Sequence, residues 1–277
     1  MENPYRIARL VHYFDNVTLG LHSIMVNFPG TNFYRVGKAA DAIRRELMAV
    51  VRERRADMVG DEGAMKQDIL SHMIVVSDPT GKGMGDAEIA DKMMGLLVAG
   101  YTNVAITISF FMKFVGEKQL EISKDKTTGE LLDWNYMSKT KYSWNVMCEV
   151  IRLVPPQQGT FRKVLTDFTY VGYTIPKDWK VYWTVNTTNK NSKYFRNPEK
   201  FDPSRYEGGE APTPYTYVTF GGPRLCPGKE SAHLVVLTFI HNVVKKYKWE
   251  VLFPKEKVLG DVVPMLEKGV PIRLHPH

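Results

Sequence analysis

The chain has 277 residues, 44% of them hydrophobic, and 37 basic against 30 acidic side chains give a net charge of +7. That length and apolar content suffice for a large core, and with no low-complexity stretch or internal repeat they exclude disordered and repeat architectures. The basic residues are spread along the chain rather than gathered into a nucleic-acid motif, and Cys148 and Cys226 lack the close Cys or His companions of a zinc site. Such sparse cysteine use implies a reducing compartment, with Cys148 a small buried apolar residue. A disulfide between the two remains open.

In chain order, Met1-Glu2-Asn3-Pro4-Tyr5-Arg6 is polar, carries neither signal peptide nor anchor, and leads into a short mixed helix. Val36 to Met58 is amphipathic. Ala39, Ile43, Leu47, Val50 and Val51 form its apolar stripe opposite Arg44, Arg45 and Glu53, and Arg52 to Arg55 read as a solvated face. After the turn-rich Asp78-Pro79-Thr80-Gly81-Lys82-Gly83 comes a long apolar segment, Asp86 to Glu117. It is uncharged from Met93 to Met112, close to the ~20 residues of a membrane span. Gly95, Thr102, Asn103 and Thr107 interrupt it, and it reads as a buried central helix.

Tyr142 to Leu153 reads as an apolar helix in which Glu149 and Arg152, three apart, share one face and can pair. If buried, that pair needs a further partner for its remaining donors. Strands are expected at Phe168 to Tyr173 and Lys180 to Thr184, with a C-terminal hairpin near Pro271 to Leu274. The stretch Phe220-Gly221-Gly222-Pro223-Arg224-Leu225-Cys226-Pro227-Gly228 sets one cysteine in a glycine-rich turn before a long apolar helix. A thiolate there gains from turn amides and from a helix N-terminus, so the stretch reads as a haem-iron thiolate loop, the alternative being a buried, inert cysteine. His233, alone on the helix that follows, reads as a core or partly exposed residue rather than a ligand.

These residues resemble the haem-binding signature of the cytochrome P450 monooxygenases. Gly222, Arg224, Cys226 and Gly228 fall on their places, whereas Phe220 stands one residue too close and Thr219 occupies the aromatic's position. Glu149-Val150-Ile151-Arg152 and the Arg205 of Phe201-Asp202-Pro203-Ser204-Arg205-Tyr206 resemble two further family elements, in the family's order. The resemblance implies that Cys226 is the axial ligand of haem b iron, that Arg224 and Arg162 hold propionates, and that Phe220 and Gly222 shape the loop. It places Gln157 to Phe161 along the substrate pocket. Gly100 keeps the porphyrin face clear, and Thr102 and Asn103 order solvent near oxygen. Active members carry an acid and a threonine in this part of the central helix. Here Ala99-Gly100-Tyr101-Thr102-Asn103 holds no carboxylate in either register, so dioxygen cleavage is expected to be impaired. After Gly116-Glu117 the chain passes to Lys118-Gln119-Leu120-Glu121-Ile122, as though a short helix were skipped.

Runs such as Lys141-Tyr142-Ser143-Trp144-Asn145-Val146 and His241-Asn242-Val243-Val244-Lys245-Lys246 are similar to those of plant triterpenoid oxidases of the beta-amyrin 28-oxidase type. The expected fold is mainly α with a small β region, a single domain over 1–277 that is an N-terminally truncated cytochrome P450 fold. Long helices are expected at about 36 to 58, 86 to 116, 140 to 153 and 229 to 248. The implied function is oxidation of a hydrophobic terpenoid with O2 and electrons from NADPH through its cytochrome P450 reductase. A basic surface near the cysteine, to which Lys245 to Lys248 are candidates, would meet the reductase. The alternative is a catalytically silent haem-binding or reductase-binding remnant. By resemblance the protein sits on the cytosolic face of the endoplasmic reticulum membrane, while a chain without an anchor is compatible with the cytosol.

Overall fold

The computed structural model describes residues 4–20, 23–60, 67–116, 140–207, 216–217, 220, 225–259 and 263–277. They gather into two compact units, Met1–Thr102 and Asn103–His277. In the first unit, α1 (Pro4–Gly20) is a full 17-residue helix rather than a short one. It lies on α2 (Asn32–Gly60) because Leu10, Phe14 and Val17 meet Ala39, Ile43 and Leu47. The expected α2 stripe is the buried one, with Ile43, Leu47 and Val51 at most 1% exposed. Its i, i+4 spacing stacks Ala39, Ile43, Leu47 and Val51 along one side of the helix.

Arg44, Arg45, Arg52 and Glu53 of α2 are exposed, as the solvated face was expected to be, and several of its arginines are held in ion pairs. Arg44 pairs with Asp91 and Arg55 with Asp86, both on α4 (Asp86–Val115), at 2.5 and 2.8 Å. Arg54 pairs at 2.7 Å with Asp68, the N-cap of α3 (Ile69–Val75). Asp86 in the first turn of α4 and the Asp68 cap of α3 lie at helix N-termini, where anionic side chains are favoured, and Asp91 stands one turn further along α4.

In the second unit, the last turns of α4 pack with α5 (Lys141–Leu153) through Ile106, Phe110, Phe111, Met112, Val146, Met147 and Ile151. Strands come in antiparallel pairs, not one small sheet. β1 (Gly159–Lys163) pairs with β4 (Lys180–Thr184), and β2 (Phe168–Tyr170) with β3 (Tyr173–Ile175). The run read as one strand thus breaks at Val171-Gly172, where both residues have positive φ (49° and 81°). That is the backbone of a tight two-residue hairpin turn, and it costs valine about 1 kcal/mol of strain. Gly159 is demanded by space, since a Cβ would sit 2.3 Å from the Trp183 carbonyl oxygen.

After α6 (Asn186–Asn189) and a 3-10 turn at Pro203–Tyr206 comes α7 (Lys229–Lys246), which ends two residues before the expected 248. Tyr-Lys-Trp-Glu-Val alternates with period two and leaves the helix as β5 (Tyr247–Val251), burying Trp249. The ring nitrogen of Trp249 donates to the Met112 carbonyl at 2.9 Å. β6 (Val258–Leu259) pairs with β7 (Met265–Leu266), and β8 (Ile272–Pro276) pairs with β5 instead of forming a hairpin of its own.

The expectation of a buried central helix holds for one end of α4 only. Phe110, Phe111 and Val115 are buried, whereas Leu96 and Tyr101 are 42% and 43% exposed. The helix is long and apolar enough to cross a membrane by length and composition, and 22% of its most apolar window is buried.

Candidate active site

Cys226 is a free, exposed thiol. Its amide donates to the Phe220 carbonyl at 2.8 Å, and its own carbonyl accepts from the Lys229 amide at 3.2 Å, which fixes the chain as it enters α7. The N-cap, Gly228, brings no side-chain oxygen to the first-turn amides. The thiol therefore stands before an 18-residue helix whose N-terminus carries partial positive charge. Phe220 anchors the other side of the loop by packing on the core of this unit, with the Lys229 ammonium 6.0 Å from its ring centroid. Gly222 and Arg224 lie outside the described residues, as do Thr219 and the Glu117 to Ile122 stretch.

α7 is seated on α5 by His233. Its ring lies 3.8 Å, centroid to centroid, from that of Trp144, and Glu230 approaches at 3.9 Å. Burial pushes the His233 pKa below its usual value, against the opposing pull of Glu230. His233 is thus a packing residue of the helix behind the thiol, as its isolation in the sequence implied.

Glu149 and Arg152 pair as expected, bidentately at 2.7 and 2.8 Å, with both side chains fully buried. Their remaining groups are met. Glu149 also accepts from the Arg205 Nε at 3.2 Å, from the Asp202 amide at 2.9 Å and from the Tyr206 hydroxyl at 3.4 Å. Arg152 donates to the Asn189 carbonyl at 2.7 Å, and Asn189 returns a bond to the Arg152 carbonyl at 3.1 Å. The Tyr206 hydroxyl has its pKa raised by burial and then by Glu149. Arg205 reaches on to the Arg196 and Asn197 carbonyls. The cluster fastens the 186–206 segment to α5. Tyr217 extends it toward the thiol loop by donating to the Cys148 carbonyl at 3.2 Å. The sequence offered Glu149, Arg152 and Arg205 for this cluster; Asn189, Tyr206 and Tyr217 had no assigned part, because their contacts join distant segments.

The other candidates stand apart from these. Arg162 is exposed on β1, and among the described residues it bonds to Thr160 Oγ1 and the Phe161 carbonyl, each at 2.9 Å. Phe161 is 62% exposed beside Tyr182. On α4, nothing lies within 4 Å of where a Gly100 Cβ would be. The Thr102 hydroxyl shares a 3.0 Å hydrogen bond with Thr18 of α1, and the Tyr101 hydroxyl donates to Asp15 at 3.3 Å. A carboxylate missing from the 99–103 run is thus supplied to Tyr101 by α1, which no local motif could reveal. The Asn103 carbonyl accepts from the Thr107 hydroxyl at 2.8 Å. Lys245 and Lys246 occupy the last turn of α7, about 24 Å from Lys229 at 1.5 Å per residue. They complement the C-terminal end of the helix dipole rather than flank Cys226.

The donor chemistry fits a thiolate-ligated haem: an accessible sulfur just before a helix N-terminus, its amide held by the Phe220 carbonyl. Residues 5–263 match the cytochrome P450 family. The chain is 46% identical over its whole length to the beta-amyrin 28-monooxygenases of Vitis vinifera and Medicago truncatula, and 47% identical over 99% of its length to cytochrome P450 716A75 of Maesa lanceolata. It spans 58–60% of the length of these relatives. Among solved structures it is similar to a cyanobacterial CYP120A1 with retinoic acid bound. That match has a TM-score of 0.89 and 26% identity, over 100% of this chain and 64% of the other. By this match over nearly all its length, the chain belongs to the cytochrome P450 family.

Proposed function

We propose that this chain is the haem-thiolate part of a monooxygenase that oxidises a hydrophobic, triterpene-like terpenoid. The observation that carries the reading is the exposed Cys226 thiol at the head of α7. Cys226 would ligate the iron, with Phe220 and the loop residues Gly222 and Arg224 around it. Arg162 would pair with a propionate, and Gly100 would leave room on the long helix. When bound, haem supplies reductive activation of dioxygen, drawing electrons from NADPH through its reductase. The chain's own residues hold and orient. The Glu149–Arg152–Arg205 cluster keeps α5 and the approach to the loop rigid, and Trp144 with His233 fixes the head of α7. Gln157 to Phe161 would face substrate. Thr102 and Asn103 would order solvent, on the helix whose Tyr101 hydroxyl donates a hydrogen bond to Asp15.

The substrate class is supported by relatives whose names specify beta-amyrin. Position on the substrate is not, since a beta-amyrin 6-beta-monooxygenase of Solanum lycopersicum is 44% identical, nearly level with the 28-monooxygenases. We propose the cytosolic face of the endoplasmic reticulum membrane as its location, with the cytosol as the alternative for this chain alone.

The deciding experiment is the reduced, carbon-monoxide difference spectrum of the haem-loaded chain. A thiolate-type Soret band present in the wild type and lost in Cys226→Ser supports the reading; its persistence in the variant removes Cys226 as ligand. One observation favours a second reading, a haem- or reductase-binding protein without oxygen chemistry: the Thr102 hydroxyl is already engaged by Thr18. In a full-length protein, Thr102→Asp should raise the share of reducing equivalents recovered as product, and an unchanged share would sink the solvent-relay role.

A further inference from the structure

The segment that leaves β5 folds back on itself and encloses a cleft that has no part in the thiol loop. Leu252, Phe253 and Pro254 lead into a turn in which the Glu256 amide donates to the Phe253 carbonyl at 3.2 Å. Three further bonds fix that turn. The Leu252 amide donates to the Pro271 carbonyl at 3.0 Å, the Lys113 ammonium of α4 donates to the Glu256 carbonyl at 2.9 Å, and the Lys268 amide donates to the Glu256 carboxylate. Where the turn runs into the β6–β7 pair, the Glu267 amide donates to the Lys257 carbonyl at 3.3 Å. The cleft so held has a volume of about 410 Å³ and a mostly apolar wall with a few charged groups, the size and make-up of a small-molecule site.

Leu252, Phe253 and Pro254 supply the apolar part, and Phe253 is 50% exposed. Lys255, Lys257 and Lys268 supply the cations, against Glu256 and Glu267. The Lys268 ammonium stands 5.2 Å from the Phe253 ring centroid, so positive charge and aromatic face adjoin. Lys255 and Lys257 form no ion pair among the described residues, whereas Glu256 is already engaged by the Lys268 amide. A dianion such as phosphate would meet two carboxylates and no arginine fork. A neutral apolar molecule would leave two ammonium groups unanswered, and a peptide is too large for a cleft built from one turn and one hairpin end. We infer that this cleft binds a compact aromatic carboxylate, its ring against Leu252 and Phe253 and its charge met by Lys255, Lys257 and Lys268. Nothing in the site depends on haem.

The test is isothermal titration calorimetry of the expressed chain with 1-naphthylacetate, beside the neutral 1-naphthylacetamide and inorganic phosphate. The wild type should bind the carboxylate about tenfold more tightly than the amide, less tightly as salt is raised, and should not bind phosphate. Lys257→Glu with Lys268→Glu should weaken carboxylate binding about tenfold at unchanged Tm. Phe253→Ser should weaken it by a similar factor through the lost apolar contact. Lys180→Glu on β4, a charge reversal outside the cleft, should leave it unchanged. Should the double reversal lower Tm, Lys255→Gln supplies the same answer from an exposed side chain and should still weaken binding several-fold. Equal affinity for carboxylate and amide, uptake of phosphate, or affinity that survives the cleft variants overturns the inference. So does a wild type that binds none of the three. Binding should be the same with and without haem, so failure here leaves the haem reading standing, and failure there leaves this one.

Discussion

Glu149 and Arg152 are buried to the last atom, and each has more than one partner, so their worth lies in mutual satisfaction rather than in attraction alone. Arg152→Leu removes the bidentate partner of a buried carboxylate, leaving Arg205 as its cation, and should cost ~3 kcal/mol of stability, read as a lower urea midpoint at unchanged slope. Adding Glu149→Leu should cost less than the two single losses together, because the under-compensated charge goes with it. Additive losses would show that the pair is not coupled. His233 gives a pH signature. Its folded pKa lies below the usual 6.5 because burial disfavours the charged ring, so the unfolded chain takes up the proton first. Stability from this site is complete above about 6.5 and declines as pH falls toward the depressed value. His233→Gln should flatten that part of the stability–pH curve, and an unaltered slope would assign it to another group. The pair was legible because a spacing of three is a local geometric fact. Asn189 and Asp202 were not, since Asp202 contributes a backbone amide that any residue possesses and Asn189 meets Arg152 from 37 positions away, through its own carbonyl and a side-chain amide.

α3 shows how much a short element owes to its first residue. Asp68 accepts the Ser71 amide at 2.8 Å and is gripped by Arg54, and its pKa is lowered to about 2, first by that amide and then by the arginine. Asp68→Ala should cost ~1 kcal/mol as a lost cap. The contribution of the carboxylate is present above its unfolded value near 3.8 and fades as pH drops toward 2. Thermal melts of the two proteins should therefore differ at neutral pH and converge in acid. Helices α2, α5 and α7 stood within a few residues of where their apolar periodicity put them. The strands were less legible. Phe168 to Tyr173 has an unbroken β-favouring composition, and its turn rests on a valine that local preference would keep in the strand. The partner of β8 lies 21 or more residues back at β5, beyond anything alternation can specify.

Across the molecule, apolar burial is uneven along a single helix. Phe110 and Phe111 sit at the centre of the second unit, whereas Leu96, on the same helix, faces outward. Phe110→Ala should cost ~3–5 kcal/mol, and Leu96→Gln should stay within about 0.5 kcal/mol. Chemical denaturation of the isolated chain measures both, and a large loss at Leu96 would mean that this side of the helix is covered in solution. The family was legible from a handful of residues around Cys226 and Glu149. The bonds that place Asp15 and Thr18 against α4 were not, because they come from a helix some eighty residues earlier that shares no motif with it.

The two cysteines have opposite fates as chemical groups. Burial pushes the Cys148 thiol up to about 12, while Cys226 is exposed. At neutral pH an alkylating reagent should therefore modify one sulfur per folded chain and two per denatured chain. Under the proposed ligation of iron by Cys226 that sulfur would be withdrawn from the reagent, so the fraction of chains that resist labelling would report haem occupancy by mass alone, in a sample that need not be coloured, reduced or active.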